Sequence, residues 1–440
     1  MDKRTVRWLY QELPTLVSSG IVPAEVADRI RKHYGEPDAQ GSGRHWLITL
    51  FAIIGAALIG GGIILLLAHN WEELSRPVRA MISLAPLIAA QALGAWVLWT
   101  GNESTARREG VGTFLTLAIG SSIALISQTY NLGGTFPDFM FTWTLLALPV
   151  AYLLRATLPA LLYLVGVTVW SGSVMDGGYR SLWFWPLVGL AVPYLWMVAR
   201  ENRYHPRPVL VCWILSIVGA IGTGFGAHHL LDEFSWWIVL FSGLSAVWFL
   251  VGSRWFGEAP GFWQRPFHFF GGVGLLVLAL ILSFEEPWTE VGHHLWWIDV
   301  RMGAFGVTAS YLLALMWPVA AIALWVAAWR RRALTEIWFG AMPVLAVLGH
   351  ALAQNNLDVF AAILFNVYVF AMSVGLIAGG VRGRRLGLVN AGMLLLSALI
   401  LCRFFDADLS FVVRGVAFIA LGTGFLVTNL VLLRRKGAAQ

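Results

Sequence analysis

The feature that most constrains this chain is a recurring run of about twenty apolar residues. Trp46 to Ala68 contains no charged side chain, and comparable runs recur almost to the C-terminus. A helix needs about 20 such residues to cross a hydrocarbon core, because only a helix or a closed barrel satisfies its own backbone there. Fourteen runs fit this length: 46–69, 78–99, 111–130, 139–154, 157–175, 182–199, 208–227, 236–252, 266–284, 303–329, 336–352, 358–380, 386–402 and 409–433. The sequence therefore predicts an all-α polytopic membrane protein with about fourteen spans joined by short connections. Composition agrees: 58% of the 440 residues are hydrophobic and 12% are charged, against about 25% charged in soluble domains. The first run is too long for a signal-peptide core and lacks a small-residue cleavage site, so it is expected to be retained.

Residues 1–45 are polar and read as a cytosolic helical hairpin with a linker. Val6, Leu9, Leu13 and Leu16 recur at helical spacing, Gly20 stops that helix, and Pro23 with Glu25 starts a second one. Domain limits are thus 1–45 for the hairpin, 46–434 for the spans and 435–440 for a cytosolic tail. With the N-terminus inside, twenty-four of the 30 basic residues fall on cytosolic segments, which orients both termini inward by the positive-inside rule. The expected location is the cytoplasmic (inner) membrane, crossed many times. The formal charge of +6 is then an orientation signal and an attraction to anionic lipid, not a footprint for nucleic acid. The outer side collects acidic residues and six of the ten histidines: His69, His228, His229, His293, His294 and His350. Cys212 and Cys402 fall at opposite membrane ends, so no disulfide between them is expected.

The most polar membrane stretch runs from Gly120 to Pro149. Ser121, Ser122, Gln128, Tyr130 and Asn131 end one span, and Asp138 opens the next after Gly133-Gly134. Such a patch either packs helices, since Ser and Gly permit close approach and Gln bonds across helix pairs, or lines an outward-facing cavity. A faint echo appears in Leu348–Arg382, where Gln354 stands to Arg382 as Gln128 stands to Arg155, the outline of a weak parallel repeat. Arg403, Asp406, Asp408 and Arg414 cluster around the last connection, as a structural ion pair or a contact for an anionic ligand. His228 with Asp232 and His229 with Glu233 are i,i+4 pairs, weak metal candidates without a recognised ligand spacing. No phosphate loop, dinucleotide fingerprint or nucleophile triad is present. No cofactor is expected, and no catalytic residue can be named.

The first third resembles a bacterial family of polytopic membrane proteins known only as a domain of unknown function. The residues that carry the resemblance are Gly55, Gly60, Gly61 and Gly62 leading to Asn70-Trp71, then Gly120-Ser121-Ser122, Gln128-Thr129-Tyr130 and Trp143. Asn131 stands where that family more often has His. Arg403-Phe404-Phe405-Asp406 and Arg414-Gly415 are similar to the closing segment of related families. The resemblance implies membrane location and architecture and no activity. Two functions remain open from the residues. One is a transporter or lipid-linked flippase, suggested by the span count and by Pro86, Pro149, Pro193, Pro318 and Pro343 within spans, with a small molecule or lipid as ligand. The other is a non-transporting sensor, scaffold or envelope-assembly factor, whose residues 1–45 would bind a cytosolic protein while the spans sit among membrane lipids.

Overall fold

The computed structural model describes residues 9, 12–14, 16–34, 71–101, 104–176, 179–200, 202–228, 236–257, 259, 261–293, 303–383, 386–406, 416, 419, 422 and 423. Among them, every regular element is helical. The chain divides into two compact units, Met1–Arg79 and Ala80–Gln440. In the first, residues 12–14 and 16–18 are helical and a turn at Gly20, with φ +73°, leads to helix α1, Ala24–Tyr34. The stop at Gly20 and restart after Pro23 are where the residue chemistry places them. The first expected span, 46–69, and the last, 409–433, lie essentially outside the described residues.

The second unit is built from α2 (Arg76–Trp99), whose first turn belongs to the first unit, and from α3 (Thr105–Tyr130), α4 (Phe136–Leu154), α5 (Thr157–Ser173), α6 (Phe184–Gly189), α7 (Val192–Ala199), α8 (Pro206–Gly226) and α9 (Trp236–Phe256). It continues through α10 (Pro266–Ile281), α11 (Glu286–His293), α12 (Gly303–Arg330), α13 (Leu334–Gly340), α14 (Met342–Gln354), α15 (Asp358–Arg382) and α16 (Leu386–Asp406). Among the described residues, ten helical segments are long and apolar enough to cross a membrane, and α5 and α10 are apolar but shorter. Each of the twelve runs expected between 78 and 402 coincides with one of these segments.

Helix α9 forms the centre. Its apolar window is 78% buried, against at most 50% in the other nine segments, and it packs on α10, α12, α13 and α14. Close approach explains how so apolar a helix is held without an aqueous hydrophobic drive. A side chain at Gly252 would strike the backbone of His268, and one at Gly271 the backbone of Phe249. One apolar cluster gathers α9 with the helices that follow it, around Trp288, Phe365 and Phe249, and a second gathers α5 to α8 around Tyr163, Phe184 and Tyr194.

Candidate functional site

The polar hairpin at 120–138 is packed on one side and exposed on the other. Gly120 lies under Trp143, whose indole N–H donates to the Thr116 carbonyl at 2.8 Å. The buried Ser122 hydroxyl donates to the Ser83 carbonyl of α2 at 2.7 Å. Asp138 closes a capping box at the start of α4, accepting from the Thr135 amide at 3.0 Å and hydroxyl at 2.7 Å, which offsets the orphan amides of that helix end. Asn131 adopts the left-handed conformation, φ 50°, and returns its amide to the Ser127 carbonyl, a position that Asn tolerates. Ser121, Gln128, Tyr130 and Asn131 are exposed.

The matching hairpin turns through another left-handed asparagine, Asn356, φ 58°. There, however, the half-buried Gln354 donates to the Val291 carbonyl of α11 at 2.9 Å. Arg403 packs against the end of α10. Its Nη2 donates to the carbonyl of Ser283 at 2.9 Å, and the guanidinium covers the Phe284 ring at 4.3 Å. Asn366 donates to the same carbonyl at 2.7 Å. These two donors close the C-terminal end of α10. The Asp406 side chain, Asp408 and Arg414 lie outside the described residues. So do His229, Asp232 and Glu233, while His228 stands 3.6 Å from Asp176. Among the described residues, no group of three ligand-type side chains could hold a metal. His350, expected on the outer face, is buried, with its ring 6.2 Å from that of Trp236.

Two features lie outside the expected site residues. The first is Glu109. Its carboxylate accepts from the amides of Thr157 at 2.8 Å and Leu158 at 2.9 Å, at the N-terminus of α5, and lies 3.4 Å from Arg207. Helix N-termini favour negative charge, and Ala156, the residue at the cap position, supplies no side-chain cap. Tyr194 bonds the Thr157 hydroxyl at 3.2 Å. The cluster ties α3, α5, α7 and α8 at one end of the unit.

The second feature is a pair of interrupted spans. Of the five prolines noted, Pro86, Pro149 and Pro318 lie inside continuous helices. Pro193 and Pro343 instead begin the second half of a broken one. At the first break, Leu190 and Ala191 tighten to i→i+3 bonds on Leu187 and Val188. The Tyr152 hydroxyl enters the ladder there: it accepts from the Tyr194 amide at 3.1 Å and donates to the Leu190 carbonyl, the pair that an unbroken helix would join directly. Tyr163 donates to the Leu187 carbonyl at 2.7 Å. At the second break the Ala341 amide keeps its i→i+4 bond to Ile337, and its carbonyl accepts from both Val344 and Leu345. Trp325 donates to the Ile337 carbonyl at 2.8 Å and Tyr368 to that of Trp338 at 2.8 Å. Side chains inserted in the ladder and mid-helix 3-10 turns are the physical causes of kinks and hinges.

Residues 14–160 match the family model described as "Predicted membrane protein (DUF2157)". The matched stretch contains Asn70-Trp71, Gly120-Ser121-Ser122, Gln128-Thr129-Tyr130 and Trp143, and it ends before either helix break. No curated protein and no solved structure matches the chain.

Proposed function

We propose that this multi-pass membrane protein of unknown function is a carrier, a transporter or lipid flippase, that works by flexing at its two interrupted spans. The observation that carries the proposal is their shared construction: a glycine, a proline opening the second half, and Tyr or Trp donors from neighbouring helices on the carbonyls at the break. Paired Gly/Pro-interrupted segments are the best sequence-level pointer to a membrane binding site. On the fourteen-span topology with both termini cytosolic, the two interrupted spans run in opposite directions. The outer hairpin near Gln128, Tyr130 and Asp138 would be a mouth and not a binding centre, since these three side chains are exposed.

A second reading, a non-transporting scaffold or assembly factor in the inner membrane, is favoured by the polar side chains themselves. Ser122, Gln354, Asn366 and Arg403 each hold a backbone carbonyl, the economy of a rigid body. Thiol accessibility separates the two. Leu190→Cys and Ala341→Cys, in a chain with Cys212 and Cys402 replaced by Ala, should react with a membrane-impermeant maleimide in a carrier. Failure of both positions to react in right-side-out and inverted vesicles would leave the scaffold.

A further inference from the structure

We propose that the loops 200–207 and 254–265 together form a seat for one anionic phospholipid, distinct from any transported molecule. The two loops are one surface. Gln264 donates to the Tyr204 carbonyl at 3.4 Å, the Tyr204 ring meets Phe256 at 6.3 Å, and Trp213 of α8 stacks on Trp263 at 4.9 Å while its N–H donates to the Trp263 carbonyl at 2.8 Å. This anchors a short 3-10 turn, Phe262–Gln264, whose Phe262 and Trp263 remain 62% and 54% exposed. Aromatic rings fixed at the ends of apolar helices belong at the headgroup level of a bilayer.

The charge at this surface is sorted. In sequence, the two loops hold five arginines and two glutamates, Glu201 and Glu258, which lie outside the described residues. Arg207 is engaged by Glu109 and Arg265 turns back onto the Ala259 carbonyl. Arg203 covers the Tyr204 ring at 5.1 Å. Arg200 and Arg254 remain exposed. Two exposed arginines on the surface that carries two exposed aromatic rings match a phosphate with the start of an acyl chain, and an Arg fork binds phosphate oxygens in pairs.

The test is native mass spectrometry of the full chain in detergent, titrated with phosphatidylglycerol or phosphatidylcholine. The wild type should retain phosphatidylglycerol preferentially. R200Q/R254Q should bind it about thirtyfold more weakly, with an unchanged melting temperature, and R200K/R254K should keep most of the affinity. F262A/W263A should weaken both lipids, and R330Q/R332Q, on another arginine-rich turn, neither. Equal retention of the two lipids by the wild type would overturn the proposal. So would an equal loss in R330Q/R332Q and R200Q/R254Q, which would reduce the effect to general basic charge.

Discussion

Helix α12 and the broken pair α13–α14 follow one another in the chain, and each carries a proline. Yet α12 runs unbroken through Pro318 for 28 residues, and its neighbour breaks before Pro343. A proline removes one ladder bond and crowds the preceding turn wherever it sits. What differs is the surroundings. At Pro318 the backbone of α9 closes in, since a side chain on Gly243 would strike the proline nitrogen, and the helix stays continuous against that contact. At Pro343 the preceding turn contains Gly340, and Trp325 and Tyr368 supply hydrogen bonds from outside the helix. The first break repeats this with Gly189, Tyr152 and Tyr163. Proline is thus insufficient to interrupt a span; a nearby glycine and external donors complete the hinge.

The comparison can be broken most severely at the straight helix. Gly243→Leu should separate α9 from α12 and cost about 3 kcal/mol by overpacking, read as a large fall in melting temperature or yield. At the first hinge, Tyr152→Phe removes a hydroxyl that both accepts and donates, and should cost about 2 kcal/mol in a thermal melt. Tyr368→Phe, which loses one bond, should cost about 1 kcal/mol. A ratio near one between these two would mean that the hydroxyl of Tyr152 is not inserted in the ladder. The smallest effects separate the two hairpins: Gln354→Ala should cost about 0.6–1 kcal/mol through its bond to Val291, and Gln128→Ala, on an exposed side chain, should leave the melting temperature unchanged.

Much of the scaffold is legible in the residues. The apolar runs between 78 and 402 mark their helices because burial in hydrocarbon leaves no other way to satisfy the backbone. The capping of α4 is visible in Thr135 and Asp138. The hinges were also accessible from local spacing. Gly189 precedes Pro193 by four residues and Gly340 precedes Pro343 by three, whereas no glycine stands within four residues before Pro86, Pro149 or Pro318. The role of Glu109 was not accessible, because its partners Thr157 and Arg207 lie far along the chain and only folding brings them together. For the same reason the bond from Arg403 to the Ser283 carbonyl, 120 residues away, is announced by no local spacing.

The most direct measurement of the central claim is a density map of the full protein in native lipid. The carrier account expects breaks at Leu190–Ala191 and at Ala341, with water or a bound molecule reaching the space between the two hinged spans. Two continuous helices at these positions, or two breaks sealed in dry protein on separate sides of α9, would contradict it.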